Sequence, residues 1–508
     1  MAETGLKDRI APFLSKLPAV KRPEKHVHFQ KKLMWTLGIL VLYFVLSNIS
    51  VFGLSAASQD LLGAYRAYFA GAQGSIILLG IGPIVMASIV LQLLVGAELI
   101  PLDTTDPKDQ AIFQGLQKLM VFVMIVVEAL PQIYGGFLLP DPAIAATLGV
   151  STGIIQLLIF AQVALGGVLI LYMDEIVSKW GIGSGVSLFI VAGIAQALVG
   201  GIFNWNPPYP GQAMGLNVDI AGLGARENLP IGIIFRWEWL LNNIGLSQLL
   251  TGENLIVLLY QGEILALLAT IIIFLLIVYV ESTRIEIPLA HAAVRGARGK
   301  FPVKLIYASV LPMILVRSLQ ATLEMVGLLL YRNGITFLGT FNQYNQPVDG
   351  LMFYINPING LSDWVPQLAA LNYPGIQLWQ IALHVFTDAF ILIAGGILFA
   401  IFWVETTGMG ASRVARQIQK SGMQIPGFRR NEQVIEKVVS RYIPKVTVIG
   451  GAFVGFLTLL SSLFGILGAV SGTGMLLAVS ITYQLYEKLA SEQLMEMHPL
   501  MRKFLGEE

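Results

Sequence analysis

Ten runs of roughly twenty residues with almost no charge recur along the chain, each long enough to cross about 30 Å of hydrocarbon as a helix. They cover residues 33–51, 75–95, 118–138, 154–173, 186–203, 261–280, 305–330, 378–404, 446–467 and 475–486, the last being the shortest. Lipid offers no partner to an open backbone amide, so runs of this kind fold as helices that pack on one another. The composition agrees: 55% of the 508 residues are hydrophobic and 12% are charged, against about 25% charged in soluble domains. With no cysteine in the chain, disulfides, thiolate catalysis and cysteine-based metal sites are excluded. A cleavable leader is not expected either, because a polar, basic segment over residues 1–32 precedes the first apolar run.

Orientation follows from the basic residues. With the N-terminus in the cytosol, 27 of the 32 Lys and Arg residues fall in cytosolic segments, while Arg66, Arg226, Arg236 and Arg332 fall outside and Arg317 lies within span 7. The positive-inside rule therefore predicts ten spans with both termini cytosolic. The two long outer loops, which carry Trp205, Trp237, Trp239, Tyr354 and Trp364, read as covers resting near the interface.

Span 2 is unusual among the runs because Gly80-Ile81-Gly82-Pro83 interrupts it. Proline removes a helical hydrogen bond and glycine admits a close neighbour, which predicts a helix packed against others or lining a cavity. Span 7 repeats the pattern weakly: Pro83 precedes Val85 and Gln92 in the first half, and Pro312 precedes Ile314 and Gln320 in the second. Two halves of five spans would then have opposite topology, with a pathway between them.

No Walker loop, HExxH, GxSxG or dinucleotide fingerprint is present, so no catalytic residue, cofactor or metal is expected. Charged groups inside the spans are costly unless paired or hydrated, which singles out Glu128, Arg317, Glu324, His384 and Asp388. Arg317 is predicted to pair with Asp388 or Glu128, as a proton relay, a gate latch or a buried pair that only fixes helix packing. A proton-coupled secondary transporter built from inverted repeats would use Glu128, Arg317, His384 and Asp388 as its relay.

Two cytosolic loops, residues 281–304 and 405–445, are strongly basic, and the second is longer than a connector requires. Pro426-Gly427-Phe428 suggests a formed tip there. Such charges suit a large anionic partner such as RNA, or lipid headgroups. Between spans 1 and 2, residues 55–71 place Leu61, Leu62, Tyr65, Tyr68 and Phe69 at helical spacing, in a segment too short to cross: an interfacial helix or a sheltered re-entrant piece.

Five motifs in order resemble the SecY family of protein-conducting channels, its archaeal branch in particular, over essentially the whole chain. They are Leu79-Gly80-Ile81-Gly82-Pro83-Ile84-Val85 with Gln92-Leu93-Leu94; Lys179-Trp180-Gly181-Ile182-Gly183-Ser184-Gly185-Val186; Phe301-Pro302-Val303-Lys304 leading to Pro312; Pro426-Gly427-Phe428-Arg429; and Gly472-Thr473-Gly474.

The resemblance implies an all-α membrane protein of ten transmembrane helices in two inverted, pseudo-symmetric halves. The expected division is a cytosolic segment 1–32, a first half 33–203, an outer loop 204–253, a second half 254–487 and a cytosolic tail 488–508. It implies a channel of the plasma membrane, constricted by a ring of Ile81, Val85, Val186, Ile190, Ile314 and Leu477, with residues 55–71 as a plug. Secretory polypeptides would pass through passively, and apolar segments would leave sideways past Glu128 and Thr322. The span 2 gate position is Met86, a departure from the family, and Arg317 is a second one. The resemblance further implies ribosome docking through Arg295, Arg298, Lys300, Arg429 and Arg430. The other partners implied are a SecE-like subunit, a single-span beta-type subunit, signal peptides, nascent chains and membrane lipids.

Overall fold

Every apolar run contains a helix. In the computed structural model they are α1 Phe29–Ser47, α2 Gly82–Gly96, α3 Pro107–Tyr134, α4 Thr152–Trp180, α5 Gly185–Phe203, α6 Ile264–Ser282, α7 Leu311–Arg332, α8 Leu378–Thr406, α9 Glu432–Phe464 and α10 Gly472–Met497. The structure describes residues 14, 17–25, 27–55, 58, 69–96, 99–100, 102, 107–206, 230–243, 245–249, 258–259, 262–291, 298–306, 310–342, 345–373, 375–406, 409–420, 423–424 and 432–497. Among the described residues eight helices, α1 and α3 to α9, are long and apolar enough to cross a membrane, which makes this a multi-pass membrane protein.

The remaining two differ from the apolar pattern for physical reasons. Helix α10 runs on to Met497, well past the apolar run, because Glu, Lys and Gln are good helix formers once the chain leaves lipid. Helix α2 has 15 residues, about 22 Å at 1.5 Å per residue, and is short for a crossing. Its proline is not a mid-helix kink. Pro83 is the second residue of the helix, where the missing amide costs nothing, and residues 75–81 ahead of it form consecutive turns. Pro312 stands at the matching place, second in α7, so the weak repeat marks two helix starts.

Contacts group residues 1–195 with 481–508 into one unit and residues 196–480 into another. Within the first, α3 packs on α2 and α4, and α4 on α1. The turns over 75–81 are held by tertiary bonds: Ile76 N donates to Ile49 O at 3.0 Å and Val51 N to Gly74 O at 2.8 Å. Gly166 brings α4 onto the same segment, since a Cβ there would lie 1.9 Å from the Ile76 carbonyl oxygen. Irregular backbone at membrane depth is tolerable when protein buries it, and residues 77–84 are all buried. Lys32 on α1 pairs with Glu492 on α10 at 2.8 Å, and Trp180 Nε1 donates to Lys21 O at 2.9 Å, tying the segment before α1 to the end of α4.

In the second unit α9 packs along α8, α7 against α8, and α6 against α9. The loops that looked merely basic are structured. Strand β1 (Arg284–His291) pairs antiparallel with β2 (Arg298–Lys304), and β3 (Met423–Gln424) from the α8–α9 loop joins the other edge of β1. A helix over Ala411–Lys420 buries Val414, Ala415 and Ile418 against Ala400 and Val404 of α8 and Ile435, Val439 and Ile443 of α9. That packing explains why α9 starts at Glu432, before the apolar run: its first turns have an apolar face of their own.

Candidate functional site

In the first unit the candidate ring residues come from two places, Ile81 and Val85 at the start of α2 and Val186 and Ile190 on α5. Ile81 is fully buried in the last turn before the helix, and its amide donates to the Phe69 carbonyl at 2.7 Å. Gly80 beside it has φ +54°, and a Cβ there would stand 2.0 Å from the same oxygen, so this crossing of two backbones requires glycine. Tyr43 of α1 stacks on Phe189 of α5, 5.1 Å between ring centroids, and donates its hydroxyl to Ala70 O at 2.9 Å. Phe69 to Gly71 are thereby fixed to α1 and α2; of the rest of the expected plug, only Ser55 and Ser58 are among the described residues.

Ile190 is fully buried on α5, while Val85 and Val186 are half-buried. The Val186 amide, in the first turn of α5, donates to Asp174 Oδ1 at 2.9 Å, so a carboxylate at the end of α4 caps the next helix. Glu128 of α3 lies against the first turn of α2, its Oε2 2.8 Å from where a Gly82 Cβ would be. Its Oε1 is buried without a hydrogen-bond partner among the described residues. Met86 is half-buried one turn further along α2.

In the second unit Ile314 and Leu477 are both buried. Thr322 spends its hydroxyl on its own helix, donating to Ser318 O at 2.9 Å. The expected ion pair forms with Asp388. Arg317, 1% exposed, donates from Nη1 to Asp388 Oδ1 at 3.3 Å and to Gln320 Oε1 at 2.8 Å, from Nη2 to Ser462 Oγ at 3.3 Å and from Nε to Thr473 Oγ1 at 3.2 Å. Gln320 Nε2 donates onward to Ile355 O at 3.0 Å. His384, one turn before Asp388, meets Asn356 O through Nε2 at 2.8 Å, so that nitrogen carries the proton. The pairing partner of Arg317 is thus Asp388, and Glu128 lies in the first unit.

Asp363, in the α7–α8 loop, was not singled out from sequence. It is buried and accepts from Asn359 N at 2.8 Å. Burial pushes its carboxyl above the usual carboxylate range, against the lowering effect of that bond and of His384, and Asp388 pushes it the same way. No sequence signal marks it, whereas Thr473 sits in one of the quoted motifs.

Of the basic residues, Arg298 and Lys300 lie on β2, opposite Ala290 and Pro288. Arg295, Arg429 and Arg430 lie outside the described residues.

A sequence profile of the family described as SecY matches residues 75–486, and one described as the plug domain of Sec61p matches residues 41–74. The chain belongs to the SecY family. It is 58% identical over 502 residues to the protein translocase subunit SecY of Archaeoglobus fulgidus, covering 98% of each chain. To that of Haloferax volcanii it is 54% identical over 510 residues, 99% of this chain and all of the other. Among solved structures it is similar to one described as the structure of a protein conducting channel, with TM-score 0.76 and 37% identity over 97% of this chain and 99% of that one. A structure described as Sec61 in the canine ribosome–channel complex from the endoplasmic reticulum matches with TM-score 0.74, 37% identity and the same coverage. SecY proteins are translocation channels rather than enzymes, and the ten-span architecture is theirs. The transporter reading of Glu128, Arg317, His384 and Asp388 gives way to this assignment.

Proposed function

We propose that this chain is the central pore-forming subunit of a Sec protein translocase, a passive channel for secretory polypeptides that also releases transmembrane segments sideways into lipid. The observation that carries this is the match along nearly the whole chain to translocase subunits named SecY. The uncharged, buried start of α2 suits the role physically. The constriction is a ring of Ile81, Val85, Val186, Ile190, Ile314 and Leu477. Aliphatic side chains at a narrow point expel water and oppose ion flow, yet they bind no passing peptide strongly.

Residues 55–71 act as the plug, and Glu128 and Thr322 as polar gate positions beside Met86. The working halves are residues 33–203 and 254–487, in a plasma membrane with both termini cytosolic; 27 of the 32 basic residues then lie on the cytosolic side. On that side strand β2 includes Arg298 and Lys300, and together with Arg295, Arg429 and Arg430 these dock on ribosomal RNA. A relative of known structure is described in a ribosome–channel complex, which supports that partner. A SecE-like subunit and a single-span beta-type subunit complete the assembly.

The test is electrical. Serine at Ile81 and Ile314 together raises the resting ion conductance of the reconstituted channel several-fold; a conductance equal to wild type removes these residues from the seal.

A further inference from the structure

The Arg317 cluster departs from what a membrane channel needs for solubility or orientation. A guanidinium 1% exposed is held by groups on four helices: Gln320 on α7, Asp388 on α8, Ser462 on α9 and Thr473 on α10. An apolar side chain of similar size would fill the same space, but it would allow the helices to slide. The planar fork does not, because its donors point in fixed directions. A slide of α10 by one residue, about 1.5 Å along its axis, displaces the Thr473 hydroxyl from its 3.2 Å hydrogen bond with Nε and weakens it.

The placement along the helices gives this rigidity a purpose. Ile314 stands three residues before Arg317 on α7, and Leu477 stands four after Thr473 on α10, each about one turn away and on the same helical face as the anchoring group. Both anchors sit close to the two second-half ring positions.

We propose that Arg317 is a positioning residue: through Asp388, Ser462 and Thr473 it holds α7 and α10 in register, and so holds Ile314 and Leu477 at fixed places in the closed channel. The positioning stands on the network alone. Its consequence for sealing rests on the ring assignment above.

The chain has no cysteine, so two introduced ones report on these helices without background. Spin labels at Leu319→Cys on α7 and Ala478→Cys on α10 give the α7–α10 distance distribution in the full chain, assembled in lipid nanodiscs. Three proteins are compared: the parent, Arg317→Lys, and the double variant Arg317→Met with Asp388→Asn. The double variant removes both charges and leaves no buried carboxylate alone. The expected result is a narrow distribution for the parent, one at least twice as wide for the double variant, and an intermediate width for Arg317→Lys, which keeps the charge without the fork. Resting ion conductance rises several-fold in the double variant. A double variant with the parent's distribution overturns the positioning role, whatever its conductance. A widened distribution with unchanged conductance upholds it and removes Ile314 and Leu477 from the seal instead.

Discussion

Gly166→Ala on α4 sets two physical effects against each other, and the sign of the outcome decides between them. Alanine is the better helix former by roughly 1 kcal/mol, so α4 taken alone predicts a gain in stability. The structure predicts a loss. The new Cβ would lie 1.9 Å from the Ile76 carbonyl oxygen and 2.7 Å from its carbon. Reaching an ordinary contact of about 3.5 Å requires a retreat of about 1.5 Å. The obstacle is backbone, anchored through Ile76 N to Ile49 O and flanked by the Val51 to Gly74 bond, so it cannot swing aside as a side chain would. Next to it Gly167 faces Ile125 of α3, whose side chain would lie 3.0 Å from a Cβ built there, and a retreat of α4 would loosen that packing too. Overpacking of this kind costs about 1–3 kcal/mol, the upper end applying to backbone, which leaves a net loss of about 2 kcal/mol after the helix gain. Chemical unfolding in mixed micelles measures it, with Gly38→Ala on α1 as the control, where a Cβ meets nothing within 4 Å. A Gly166→Ala protein as stable as its parent, or more so, refutes the close packing of α4 on the non-helical part of span 2.

Two further substitutions probe other parts of the account. Tyr43→Phe keeps the stacking on Phe189 but leaves the Ala70 carbonyl without its buried donor, for an expected loss of about 1–3 kcal/mol in the same assay; no loss means that the end of the plug segment is not held there. Asp363 has a folded-state pKa above its unfolded one, so the native state holds its proton more tightly. Its contribution is therefore complete below the ordinary carboxylate pKa and is lost as pH rises through the raised value. Asp363→Asn removes that fall in stability with pH; a pH profile identical to the parent's contradicts the burial of this carboxyl.

The apolar runs made the spans legible, because the demand to pair every amide in lipid leaves few alternatives. The Arg317–Asp388 pair was legible for a related reason: a charge in a span needs a countercharge, and few were at hand. What escaped was set by distant parts of the chain. Ser462 and Thr473 join the cluster from α9 and α10, and nothing in an apolar helix announces which hydroxyl will meet a guanidinium. The stretch over 75–81 is as apolar as a helix, and only its bonds to Ile49 and Val51 and the packing of Gly166 show why it is not one. Pro83 therefore read as a break where it is a beginning. The small sheet was hidden for the same reason, since β1 pairs with β3 across more than a hundred residues of chain, beyond the reach of any local pattern.

The central claim is that a polypeptide crosses the membrane past the aliphatic residues near the starts of α2, α5, α7 and α10. Photocrosslinkers placed singly at Ile81, Val186, Ile314 and Leu477, with a secretory chain stalled in transit, test it most directly. The account predicts adducts with the stalled chain from these positions; adducts only with lipid or neighbouring helices at all four would contradict it.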